Sequence, residues 1–297
     1  MNTHYRNAAF AIAGSLLLMI SAAAHDRRHS HGMSMNVPDE VRSCSDIEID
    51  FDGKRPARAE ESLTAAAGTL NISPPQNGHV HVVGSDAGQY SISVCKAARA
   101  ESLLGRVKAA ISGSELTISG PADGDDWVAF VLVQAPRGST MNLSTHNGGI
   151  SLDTVEGTFT ARALNGPVSV KNSKGKIDVQ TQNGPISFEG SGGDLRLVTQ
   201  NGPIDIDLNG SAWEGRGLDA KAQNGPLAVS VPSSYQSGVE VSASGHSPFS
   251  CSSDVCGKGE RTWDDEGRRV QLGTGAPVVK ASTVNGPVAV SARKSSL

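Results

Sequence analysis

Aromatic residues are scarce. Three Trp, three Tyr and six Phe make up 4% of the 297 residues, which suits a thin core of aliphatic side chains better than a globular core built round large rings. Charge of neither sign is in excess: 26 Lys and Arg stand against 30 Asp and Glu, for a formal net charge of −4. There is accordingly no basic face for nucleic acid and no acidic tail. Beyond one stretch near the N-terminus no long apolar run occurs, so no transmembrane segment is expected in the mature chain. Signatures of chemistry are missing as well: the chain contains no G-x-S-x-G, P-loop, dinucleotide fingerprint or H-E-x-x-H. Neither an enzyme nor a cofactor is expected.

What the chain has in abundance is glycine, 34 residues, and much of it lies on a ruler. Gly148, Gly157, Gly166, Gly175, Gly184, Gly193 and Gly202 recur every nine residues. Two positions after each stands one apolar residue and two further on another, as in Ile177 with Val179 or Ile186 with Phe188, with a polar residue between. Such alternation marks a strand with one buried face, and a fixed short period marks stacked repeats. Asn precedes only every second glycine (Asn147, Asn165, Asn183, Asn201), and the step returns at Asn224-Gly225 and Asn285-Gly286. The repeat is therefore an 18-residue rung made of two nine-residue halves, each a short strand and a corner. The expected fold is all-β: a single-stranded parallel β-solenoid whose rungs lie about 4.8 Å apart. Glycine after Asn supplies the positive φ expected at such a corner, and Asn amides at one corner can stack in a ladder. An early echo, Asn77-Gly78-His79-Val80-His81-Val82, places the same unit near the N-terminus. His79 and His81 share the face opposite Val80 and Val82, a face expected to be exposed.

Residues 1–24 read as a signal peptide: Arg6, an apolar run from Ala8 to Ile20, then the small residues Ser21-Ala22-Ala23-Ala24. Residues 25–43 have no periodicity and read as a mobile His- and Met-containing leader. Residues 44–297 read as the β-solenoid domain, with clear repeats at 141–230 and 276–291 and an irregular insertion at 232–275. The expected location is the periplasm, the cell surface or the medium. Four cysteines in an exported chain read as two disulfides. Of the three possible pairings, Cys44–Cys95 with Cys251–Cys256 is the simplest, and the first would be worth about 4 kcal/mol on the chain-entropy model.

The unit T-x-N-G-x-[IV]-x-[VIF], its spacing and the strand Phe130-Val-Leu132-Val-Gln-Ala-Pro136 resemble the bacterial putative-adhesin family of β-strand-repeat proteins, over roughly residues 60 to 297. The resemblance implies a β-solenoid of unassigned function and carries over no site residue.

Candidate sites follow from residue chemistry. A calcium-binding β-roll needs a recurring Asp and extra glycines, but the position of Asp178 is Ser or Thr in most other units. The outward residues Lys176, Asp178, Asp194 and Arg196 would pair across rungs as a surface ion ladder, leaving no convergent carboxylates for glycoside chemistry. Asp205 and Asp207 share a face without an evident basic partner. Function is expected where the ruler breaks, since insertions on a rigid scaffold commonly carry binding. Trp213, Tyr235 and Trp263, with Asp264 and Asp265, are the ligand-binding candidates there, as ring faces for sugars or as a plug closing the solenoid. His25, His29 and His31 are candidate copper or zinc ligands. The sequence thus predicts an exported, non-enzymatic envelope-binding scaffold with a glycan or protein surface as partner. A carbohydrate-active enzyme using the insertion, or a periplasmic metal-binding protein using the leader, are the alternatives. The exported protein should begin at His25 by intact mass; a chain still starting at Met1 would overturn the export reading.

Overall fold

The computed structural model describes residues 33–36, 38, 41–75, 77–122, 126–245, 247–257, 259–265 and 267–293. The expected signal peptide and His25, His29 and His31 lie outside the described residues. Alternating apolar and polar residues build strands with one face to bury, and two sheets meet that need together. Among the described residues one has twelve strands and the other eleven, with parallel pairing through the middle of both. In the smaller sheet Ile150 lies beside Val168, Val168 beside Ile186 and Ile186 beside Ile204. In the larger, Phe159 lies beside Ile177 and Ile177 beside Leu195. Every apolar residue of the two ruler columns is at most 2% exposed. Burying one such side chain is worth about 1.5–3 kcal/mol, so aliphatic columns suffice where aromatics are few.

The Asn-Gly corner is built by three contacts. The Asn side chains stay exposed and run as a ladder: Nδ2 of Asn165 donates to Oδ1 of Asn147, Asn183 to Asn165, and Asn201 to Asn183, at 2.9–3.0 Å. The ladder extends to Asn77 at one end and through Asn224 to Asn285 at the other. Inside the corner, the buried Thr181 and Thr199 hydroxyls donate to the carbonyls of Gly166 and Gly184. Between them the backbones close up: a Cβ on residue 184 would sit 2.2 Å from the Gly166 carbonyl oxygen. These glycines are therefore needed for close approach, and none of them has a positive φ. The left-handed residues belong to the alternate half of the ruler, at Gly175 (φ 105) and Gly193 (φ 115). The expectation of positive φ was thus attached to the wrong glycine column.

Strand order departs from chain order at both ends. Strands Thr274–Asn285 and Val288–Ala292, the last among the described residues, lie directly against Glu214–Asn224 and Leu227–Val231. Strands Ser237–Ser244 and Phe249–Cys251, which precede them in sequence, pair on their far side. The stretch read as an irregular insertion thus gives strands to both sheets. The hairpin Glu260–Trp263 with Gly267–Leu272 then closes the larger sheet with antiparallel pairing. The mirror arrangement holds at the other end. Strands Thr69–Ile72 and His79–Ser85 are sandwiched between those of residues 115–136 and 139–153.

A second, smaller core lies on the outer face of the smaller sheet. Val41, Ile47, Ile49 and Phe51 pack on Cys95, Ala97, Val128 and Phe130, with Met33 and Met35 at the rim. Met33–Asn36, within the stretch read as a leader, pairs antiparallel with Glu48–Phe51. Cys44 and Cys95 are at disulfide distance (Cα–Cα 5.3 Å) and tie this layer to the sheet; Cys251 and Cys256 are likewise paired (Cα–Cα 5.9 Å).

Two substitutions separate the contributions of the corner. Asn183→Ala removes two ladder bonds from an exposed site and should cost about 1 kcal/mol. Gly184→Ala forces a methyl onto a backbone oxygen and should cost about 3 kcal/mol. Urea unfolding checks both; equal costs would show that the ladder, not the close approach, holds the corner.

Candidate ligand groove

Where the small outer layer ends, the outer face of the smaller sheet holds a groove of about 670 Å³. Met35 and Pro38 form one bank, and its floor is the sheet itself. The floor reads as columns running across strands. One column is His81, Ser151, Ser169 and Ser187, one residue per strand. Beside it Asp153 lies next to Lys171. On the other side lie His79, Gly149 and Pro167.

The two histidines are buried, at 8% exposure for His79 and 5% for His81. The expectation of an exposed histidine face is corrected here, and the physical reason is the added layer. His79 stacks on Phe130, with centroids 4.5 Å apart and planes 7° from parallel, while Phe130 belongs to the small outer core. The other side of the ring lies over Gly149: a Cβ there would come within 2.7 Å of His79 Cε1. This explains a departure in the repeat. At residues 165, 183, 201, 224 and 285 the corner reads Asn-Gly-Pro, but at 147 it reads Asn-Gly-Gly. Proline would collide with the imidazole. His79 Nε2 lies 3.5 Å from Ser151 Oγ, a marginal hydrogen bond. His81 makes no hydrogen bond among the described residues, although its ring lines the groove. Burial, together with the neighbouring His81, lowers the His79 pKa to about 4. Burial also lowers that of His81, opposed by the carboxylate of Asp153 and aided by the Lys171 ammonium. Both rings are neutral at pH 7.

The residues singled out in the irregular segment are not gathered into one site. Trp213 and Tyr235 belong to the main core. Trp213 packs on Phe188 at 5.8 Å between ring centroids, and its indole N–H donates to the Gly193 carbonyl. Burial pushes the Tyr235 phenol up to about 12, and its hydroxyl has no partner among the described residues. Trp263 is 54% exposed on the edge hairpin, with Phe249 and the Arg268 guanidinium beside it. Asp264 accepts the Gly267 N–H within the turn of that hairpin, and Asp265 is exposed next to it. Among the described residues no group of three or more His, Cys, Asp or Glu is placed to hold a metal. The expected cross-strand neighbours are in register, Lys176 beside Asp194 and Asp178 beside Arg196; Asp178 bridges Arg162 and Arg196, and Asp194 also pairs with Arg216. Asp207, which lacked an evident partner, shares Arg293 with Glu189.

Sequence reasoning missed the groove because burial of His79 depends on a layer far away in the chain. Two signals pointed to it. Val128 to Val133 is apolar at both parities, the mark of a strand covered on both faces. The Asn-Gly-Gly corner was the other.

Comparison with known proteins gives distant likenesses. A putative adhesin from Bacteroides fragilis NCTC 9343 is 11% identical, with 81% of this chain and 100% of that chain covered and a TM-score of 0.39. A putative adhesin from Parabacteroides merdae ATCC 43184 is 10% identical (82% and 98% covered, TM-score 0.37). A putative cell adhesion protein from Clostridium sporogenes ATCC 15579 is 12% identical (80% and 100% covered, TM-score 0.35). No family model matches the chain, and no curated protein matches it. Values this low transfer no residue role. Among the described residues no helix is long and apolar enough to cross a membrane.

The histidines make stability depend on pH. His79 has a folded pKa of about 4 against an ordinary value of 6.5, so the unfolded chain takes up the proton first. Its contribution is complete above pH 6.5 and is lost as pH falls toward 4; on the order of 3 kcal/mol is at stake. Urea unfolding at pH 7.5 and 4.5 should show the loss, and His79→Phe, which keeps the stack on Phe130, should show less of it. An equal loss in that variant would assign the effect to carboxylates instead.

Proposed function

We propose that the chain is an exported, non-enzymatic β-solenoid, with 18-residue rungs built from two nine-residue halves, that acts as an adhesin-like binding scaffold at the cell envelope. The groove carries this reading. It combines a rigid floor, an apolar bank and buried polar side chains that face it without full hydrogen bonding, the combination expected of a preformed ligand site. The N-terminal export pattern and the cysteine pairs at disulfide distance support an oxidising compartment. The exposed Trp263 on the edge hairpin offers a second contact point of the kind interfaces favour.

The test is retention of the purified, processed chain on isolated cell envelopes. Ser169→Trp, which fills the floor from an outward-facing position, should reduce retention about tenfold with an unchanged circular dichroism spectrum and melting temperature. Retention equal to wild type would remove the groove from the function. No retention of either protein would overturn the reading itself.

A further inference from the structure

We propose that the groove takes an extended, uncharged oligosaccharide lying across the strands, one sugar residue per strand, over the column His81, Ser151, Ser169 and Ser187. The proposal rests on the reading of the outer wall as a binding face, and it names the ligand class for that face.

Spacing is the first argument. Adjacent strands in a sheet lie about 4.8 Å apart, close to the length of one residue in an extended β-linked glycan. The pairing sets His81 beside Ser151, Ser151 beside Ser169 and Ser169 beside Ser187. Each strand therefore offers one polar side chain at the same height; the rings of a β-1,4-linked chain alternate in the face they present, and hydroxyl and imidazole groups that both donate and accept serve either face.

The chemistry of those groups is the second argument. A serine hydroxyl and a neutral imidazole each both donate and accept, as a sugar hydroxyl does. His81 is 5% exposed, lines the groove and makes no hydrogen bond among the described residues. Neither ring nitrogen is among the buried atoms left without a partner, so the ring faces the open groove, where a ligand hydroxyl can take the place of solvent. Met35 and Pro38 stand over the floor as an apolar bank, suited to the C–H face of a pyranose ring.

Charge narrows the ligand further. Among the described residues lining the groove, Asp153 and Lys171 are the ionised groups, and they lie side by side in register. Their charges offset each other, so no net field draws a polyanion or a polycation. A peptide strand is disfavoured for a different reason: the floor is the face of a sheet, with its backbone groups already paired, and β-strand addition needs a free edge.

The sequence carries the same mark. The groove opens at a corner where the proline of the Asn-Gly-Pro repeat gives way to Gly149, which makes room for His79. Stacked between Phe130 and Gly149, His79 closes the end of the floor next to His81 and within reach of Ser151.

The test is calorimetric titration of the purified, processed chain with cello- and chito-oligosaccharides of one to six residues, with oligogalacturonate as the charged control. Affinity should rise with length up to about four residues, one for each strand of the column, and then level off. Ser169→Trp should weaken binding about tenfold or more, and His81→Phe, which keeps a ring but removes both nitrogens, should weaken it by about tenfold, each with an unchanged melting curve. Stronger binding of oligogalacturonate than of the neutral chains would overturn the proposal, as would neutral binding independent of length or untouched by Ser169→Trp. If no neutral chain binds while envelopes still retain the wild type in a Ser169-dependent manner, the ligand class is wrong and the binding face stands. If neither binds, both fall.

Discussion

The constraint on which the structure depends is a backbone contact, at the corner where Gly184 passes the carbonyl of Gly166 with no room for a methyl group. The same contact recurs at Gly166, Gly202, Gly225 and Gly286. It sets the separation of neighbouring strands to what sheet hydrogen bonding requires and fixes which residue lies beside which. Once that register is set, apolar columns line up inside and small polar columns line up outside. A shift by one residue would exchange the two faces. The buried threonine hydroxyl and the exposed asparagine amide hold the corner from either side. The three-residue signature Thr, Asn and Gly thus describes one joint with an inner clasp, an outer clasp and a hinge too narrow for a side chain.

Much of this was legible in the sequence because it repeats. The two apolar columns, the all-β character, the parallel strands and the Asn ladder all follow from a pattern that each repeat confirms in the next. What the pattern could not show is whatever happens once. Arg293 bridging Glu189 and Asp207 joins residues more than eighty positions apart. The order of the end strands depends on where the chain turns back, and no local signal near Pro232 announces that it leaves a gap to be filled by residues 274–292. The assignment of positive φ went to Asn-Gly because that dipeptide favours turns, whereas here it meets the stricter demand of backbone proximity.

The candidate groove shows the same division. Its floor could be read off as a row of Ser and Pro positions, but its depth could not. Depth comes from the layer around Ile47, Ile49 and Phe51, which packs on Phe130 and turns a flat wall into a bank and a floor. The aromatic residues that stood out in sequence, Trp213 and Tyr235, instead fill the interior where the repeat is interrupted. A large ring in a chain of small residues draws attention, yet the same rarity makes it the natural filler for a gap that aliphatic columns leave open.

The interleaved ends bear on how the molecule meets force. In a simple stack the last repeat touches one neighbour and peels away strand by strand. Here the strands of residues 274–292 are hydrogen-bonded on both sides, by residues 214–231 and by residues 237–251. Residues 69–85 are held in the same way at the opposite end. A load applied through the C-terminus therefore pulls on a strand locked between two others and must shear both ladders together. Force entering there is carried into the interior of both sheets and not onto a fraying edge.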